Sequence, residues 1–425
     1  MSLKIFTADF IRAGCFMMLR GLNLCLSFII TFLIYKYFNK TDYLVLNKFQ
    51  FIASLFGFLL VPFFVAYLHG KENVDLKVGI KIIILFFINT FIFCVLTSHL
   101  FYSSYTKALT ISFLFAIYML LKQLFQLFYV EYLNQKKFII SQISILSFSI
   151  LDLFFILSVQ FLIGITMISR FFPLIIFLCF LSYFWDKKTG INFYSISLLS
   201  RNISKKFWQK FFLIPNSSYP KILLLHNIAL TFILQGERFL VDKFLESSFK
   251  VGIFLYLMNI QLGLNAIINT IVDYIRPYTF DYLKDKKVSF PLMKYILGLI
   301  LIVTFSLSSL LIFWLGVKFQ NLKFDREILY VSLIMCFSIF LYGISYLFDI
   351  IFIGLKEFLK LAFITTTIAI GKGIFFFIEI LKGNKFSLLD ISLIYMFFIF
   401  VMSIVVISYS LYTLKIWRKE CYVST

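Results

Sequence analysis

Four basic side chains fall well inside long apolar runs of the sequence: Arg20, Lys122, Arg170 and Lys372. A charge at the centre of a membrane helix costs about 2.5–3.5 kcal/mol on insertion scales, so four of them facing lipid would cost on the order of 10 kcal/mol, comparable to a whole protein's stability. Such groups must face a counter-charge or a watery cavity, where the chemistry they offer is the holding of an anion. Asp152 and Arg170 fall in adjacent runs, each several residues from the outer end, which is the pattern of a structural ion pair across a hairpin. Arg20 and Lys122 each lie about eight residues, roughly 12 Å, from the inner end of their runs. No acid in the first six runs is placed at that depth, and snorkelling towards the cytoplasm is the competing account of Lys122. Lys372 lies near the middle of its run, with Asp349 and Glu379 nearer opposite edges, so it is expected to lack an acidic partner.

Polar stripes accompany these cations. Arg20, Asn23, Ser27 and Thr31 step by three or four and share one helix face, as do Asn227, Thr231, Gln235 and Arg238. Gln261, Asn265, Asn269, Asp273 and Arg276 make the longest stripe. One buried amide is explained by an interhelical hydrogen bond worth about 0.6–2 kcal/mol. A stripe of five over four turns is instead expected to face water, with Asp273 and Arg276 also readable as an interfacial i,i+3 pair. The expectation is a central cavity, cationic in its inner half, in which Arg20, Asn23, Ser27, Lys122, Asn227, Gln261, Asn265, Asn269 and Lys372 supply the substrate contacts.

The elements that must position these residues are membrane helices. Of 425 residues, 61% are hydrophobic and only 14% charged, and mean hydropathy is +0.97. A soluble domain carries about a quarter charged residues. In lipid every backbone group must be satisfied within its segment, and apolar runs of about 20 residues without alternation select helices rather than a barrel. Twelve spans are expected, at 13–35, 49–68, 80–102, 108–130, 138–158, 162–185, 209–237, 250–276, 291–315, 328–354, 360–381 and 388–414. The fold class is all-α and polytopic, with a six-helix lobe at 1–185, a basic cytoplasmic linker at 186–208 and a second six-helix lobe at 209–425.

Net charge is +20, which in a soluble protein would suggest nucleic acid. Here the basic residues sit in short connections and set topology, so no nucleic-acid partner is expected. With the N-terminus inside, the cytoplasmic segments hold 24 Lys and Arg and the outer loops 12, which favours N-in and C-in. Six cysteines, without a CxxC or Cys/His cluster, indicate neither a disulfide frame nor a metal site, and no cofactor is expected. Arg12-Ala13-Gly14-Cys15 faintly resembles a lipoprotein cleavage box, but the apolar run follows it rather than precedes it, so the first span is expected to be retained.

An internal echo relates the two lobes. Phe32–Thr41 aligns with Phe239–Ser248 without a gap, and each stretch joins the first and second spans of a six-span half. Six is even, so both halves enter from the same side and the repeat is parallel, with its pseudo-two-fold along the membrane normal. The same offset sets Arg20 opposite Asn227.

At these residues the chain resembles the Wzx-type O-antigen and polysaccharide flippases of the multidrug/oligosaccharidyl-lipid/polysaccharide (MOP) exporter superfamily. The resemblance is carried by Phe32–Thr41, by the stretch from Glu237-Arg238 through Leu245 with Lys250-Val251-Gly252-Ile253, and by the basic loop Tyr132–Lys137. Glu237 departs from the family's usual Asp, and Gly is scarce. The resemblance implies a bacterial inner-membrane flippase for undecaprenyl-diphosphate-linked oligosaccharide, working by alternating access among membrane lipids and associating with polysaccharide polymerase machinery. It also implies ion coupling, for which Asp152 and Asp273 are candidates.

Three alternatives compete with this. A major-facilitator carrier shares the span count, but His69–Asp75 does not read as that family's Gly-x-x-x-Asp-Arg loop. A cation-extruding multidrug relative would need unpaired acids where the first span carries Arg20. A membrane-embedded sugar polymerase would need a large outer loop or an outer acidic pair, and the outer connections are short. The chain is therefore expected not to be an enzyme.

Overall fold

The computed structural model describes residues 3–38, 40–56, 76–102, 104–134, 219–284, 291–322, 325–355 and 357–423, together with 146, 149, 150 and 153. The described residues are helical or lie in turns between helices, with no strand among them. In chain order the helices are α1 (Leu3–Tyr37), α2 (Lys40–Phe56), α3 (Leu76–Ser98), α4 (Tyr105–Asn134), α5 (Tyr219–Phe244), α6 (Ser248–Lys284), α7 (Leu292–Phe319), α8 (Arg326–Gly354), α9 (Phe358–Leu381) and α10 (Leu388–Val423). Two compact units divide the chain, Met1–Leu224 and Leu225–Thr425. Five helices of the second unit are long and apolar enough to cross a bilayer among the described residues: Ser248–Asn269, Leu292–Phe319, Arg326–Gly354, Leu359–Leu381 and Leu388–Trp417. Their outer surfaces carry exposed Leu, Ile and Phe, such as Leu307, Phe363 and Phe377, which suits helices that meet hydrocarbon.

Several helices outrun the apolar runs that announced them. α5 continues to Phe244 rather than ending at 237, α6 reaches Lys284 and α10 reaches Val423. Hydropathy marks where a helix meets lipid, whereas the helix itself continues while its backbone bonds are satisfied and one face packs. Beyond the Glu237-Arg238 doublet, Val241 and Phe244 are fully buried, which holds the last two turns of α5 in place.

Helix ends repeat between the halves. α1 ends at Tyr37 and α5 at Phe244, two positions that the sequence echo sets against each other. The step from the end of α3 at Ser98 to the start of α4 at Tyr105 equals the step from the end of α7 at Phe319 to the start of α8 at Arg326. The caps repeat too: Asp325 Oδ1 accepts from the Ile328 N–H at 2.9 Å, and Ser104 Oγ accepts from the Lys107 N–H at 3.4 Å. A short polar residue at such a position satisfies an otherwise orphaned helix N–H.

The C-terminal unit is knit by close backbone approaches and by serine bonds. α8 passes α7 and α6 at Gly343, where a Cβ would stand 2.8 Å from Ile302 and 3.1 Å from Ile268, so only glycine fits without a shift. Ser403 and Ser410 of α10 donate to the Leu341 and Phe348 carbonyls of α8 at 3.0 and 3.2 Å. A reciprocal capping box of Ser387 and Asp390 starts α10. In the turn before it, the Phe386 N–H donates to the Phe244 carbonyl at 3.0 Å and Lys385 Nζ donates to the Lys243 carbonyl at 2.8 Å. The end of α5 and the α9–α10 turn therefore stand at the same end of the unit.

Candidate functional site

Lys372 does have an acid at its depth, which corrects the expectation of an unpaired cation. Its Nζ lies 2.6 Å from Glu237 Oε1, with both side chains fully buried. Glu237 lies two turns before the end of α5 and Lys372 in the second half of α9, and the ends of those helices are joined as described. Hydropathy closes the seventh apolar run at 237 and so leaves Glu237 at its edge. The apolar residues Phe239, Leu240, Val241 and Phe244 that follow the doublet at helical spacing were the signal that α5 continues. Lys372 Nζ also donates to the carbonyls of Ile233 at 2.5 Å and Phe232 at 3.4 Å. The rings of Tyr395, Phe376 and Phe398 surround it at 5.5, 5.8 and 5.8 Å. A carboxylate, two carbonyls and three aromatic faces together replace the water that a buried ammonium loses. Nearer the start of α5, the buried His226 Nδ1 meets Thr365 Oγ1 of α9 at 3.1 Å, a contact that no sequence spacing announced.

Gln261 and Asn265 of the α6 stripe are buried among neighbouring helices and closed to bulk solvent. Gln261 is 0% exposed and Asn265 4%, while Asn269 is half-buried and accepts from the Tyr342 hydroxyl at 2.9 Å. Interhelical bonding, set aside for so long a stripe, is therefore what Asn269 does. Tyr342 stacks on Tyr346 at 5.8 Å, and the Tyr346 hydroxyl accepts from Arg276 at 2.8 Å. Arg276 lies within electrostatic reach of Asp349, itself buried on α8. Arg238 donates to Gln235 at 3.1 Å and to Asn259 of α6. The Tyr395 hydroxyl of α10 stands beside the Gln261 amide and within electrostatic reach of Glu237, Tyr342 and Arg238, without closing a well-formed hydrogen bond to any of them. A seam of polar side chains thus runs through the C-terminal unit from Glu237–Lys372 to Arg276–Asp349, with Gln261, Asn265 and Tyr395 in its middle.

In the middle of this seam, five atoms of three neutral side chains are buried without a hydrogen-bond partner: Gln261 Oε1 and Nε2, Asn265 Oδ1 and Nδ2, and the Tyr395 hydroxyl. Each such atom left dry costs about 1–3 kcal/mol, so the five would cost on the order of 5–15 kcal/mol, as much as a typical fold's entire stability.

The other expected residues stand as follows. Arg20 lies at the midpoint of α1, with its side chain outside the described residues. On the same helix the half-buried Asn23 accepts from Ser149 at 2.5 Å, and Ser27 bonds back to the Asn23 carbonyl at 3.0 Å. Asn227 is half-buried on α5. Lys122 lies on α4 and Asp273 on α6, with side chains outside the described residues. Asp152 and Arg170, and with them the proposed hairpin pair, lie outside the described residues, as does the linker at 186–208.

No family model matches the sequence, and no curated protein matches it. Solved structures do. An inward-facing multidrug resistance MATE family transporter of the MOP superfamily aligns over 95% of this chain and 96% of its own, with TM-score 0.64 and 12% identity. The fold is that of the MOP superfamily transporters. A MATE solved in complex with MaL6 aligns over 95% and 96% of the two chains, with TM-score 0.59 and 10% identity. A MOP superfamily transporter from Pyrococcus furiosus, described as having a binding pocket of reverse polarity that suggests a different function, aligns over 95% and 94%, with TM-score 0.52 and 10% identity.

Proposed function

We propose that this chain is a twelve-span transporter of the bacterial inner membrane that moves a lipid-linked oligosaccharide, held by its diphosphate, from the cytoplasmic to the outer leaflet. The observation that carries this reading is Arg20. It stands at the midpoint of a 35-residue helix that contains no acid after Asp9, on a transporter fold. A guanidinium in that position suits a phosphate, to which it can present two parallel N–H donors. Asn23, Ser27 and Thr31 follow on its face and suit sugar hydroxyls. Lys122 and Asn227 remain candidates for the same cargo, and Asp152 and Asp273 for ion coupling. Lys372, already neutralised by Glu237, is assigned to holding α9 against α5, and the buried α6 amides to the polar seam.

Arg20→Ala should abolish surface polysaccharide while protein level and membrane insertion stay normal. Arg20→Lys should retain part of the export if charge alone suffices and lose it if bidentate geometry is required. Normal export by Arg20→Ala would remove the reading. Multidrug export is the second reading, favoured by the multidrug transporter among the structural matches. It would be supported by drug sensitivity on deletion of the gene with surface glycan unchanged.

A further inference from the structure

We propose that the C-terminal unit holds an internal water site between α6 and α10, bounded by Gln261, Asn265 and Tyr395, which carries hydration to the Glu237–Lys372 pair. The inference is independent of the cargo. Gln261 and Asn265 are one helical turn apart and share a face of α6, and the Tyr395 hydroxyl of α10 stands beside Gln261. Their five polar atoms are buried and without partners. Two of the five, Gln261 Nε2 and Asn265 Nδ2, are donors only, so a metal cation would leave both unsatisfied. Water both donates and accepts, and a buried water makes about three hydrogen bonds, so about two waters satisfy the set. Nearby rings give a dry reference: the Tyr256 hydroxyl, on the same helix as Gln261, is fully buried and donates to the Gly316 carbonyl at 2.9 Å.

The site lies where the seam would otherwise be interrupted. On one side of it are Glu237 and Lys372, whose other neighbours are carbonyls and aromatic rings. On the other side Tyr342 and Asn269 lead to Tyr346 and Arg276. Water in the gap makes the polar path between the two charged groups continuous. It lets the Glu237–Lys372 pair be re-solvated if α5 and α9 separate during a transport cycle.

Hydroxyl-radical footprinting of the intact protein in detergent tests this, because radicals generated from a bound water label the side chain beside it even when bulk solvent is excluded. Tyr395 should be labelled clearly above Tyr256, and Gln261→Leu/Asn265→Leu should abolish that excess. The same double variant separates the wet from the dry case by stability. If the gap is dry, removing four unpartnered polar atoms raises the melting temperature; if it is wet, the variant expels water without that gain. Tyr395 labelling no higher than that of Tyr256, or a double variant with a raised melting temperature, would overturn the proposal.

Discussion

Removing either member of the Glu237–Lys372 pair strands the other charge among aromatic rings and carbonyls. Lys372→Met and Glu237→Gln should each destabilise the protein by about 3–5 kcal/mol, whereas the double variant should be more stable than the worse single one, because a buried pair can be exchanged for uncharged groups at little net cost. Denaturation in detergent of the four proteins reads this directly. Equal, additive losses would mean that the two groups do not interact. At this scale the sequence disclosed that Lys372 was too deep to face lipid but not what held it. The partner is on a helix far away in the chain, and contacts between α5 and α9 are a property of helix packing that no local spacing encodes. The same holds for Tyr395, an isolated phenol on an apolar helix until α10 brings it to Gln261.

At the scale of the helix, and among the described residues, apolar runs were a faithful guide to which segments are helical and a poor one to where they stop. α8 matches its expected 328–354 closely because Asp325 caps one end and Gly354 stands at the other. α5 overruns because its last turns are held by protein rather than lipid. Stripe periodicity was legible in α6, but its environment was not, since three-to-four spacing is the same whether a face meets water or another helix. Spans 5 and 6 carry a further prediction at this scale. Asp152 and Arg170 are proposed to pair across their hairpin, so single neutralisations should each cost several kcal/mol and the double variant less than their sum. A double variant no better than the worse single would remove the pairing.

Across the whole molecule, charge and hydropathy anticipated a polytopic helical protein, and the internal echo anticipated the matching helix ends at Tyr37 and Phe244. A few short stretches resembled the MOP superfamily, and the fold agrees with that through similarity to solved structures at 10–12% identity. Topology is predicted from the distribution of Lys and Arg: reporter fusions after Lys187 and Lys415 should both report the cytoplasm, and periplasmic activity at either would reverse the orientation. What crosses the membrane is read most simply in liposomes. The purified protein should be reconstituted with a fluorescent undecaprenyl-diphosphate-linked oligosaccharide in the inner and outer leaflets, and the accessible fraction followed with a membrane-impermeant quencher. Leaflet exchange should depend on the protein and be lost in Arg20→Ala. Exchange no faster than in protein-free liposomes, alongside protein-dependent uptake of a cationic drug by the same vesicles, would contradict the assignment of a lipid-linked cargo.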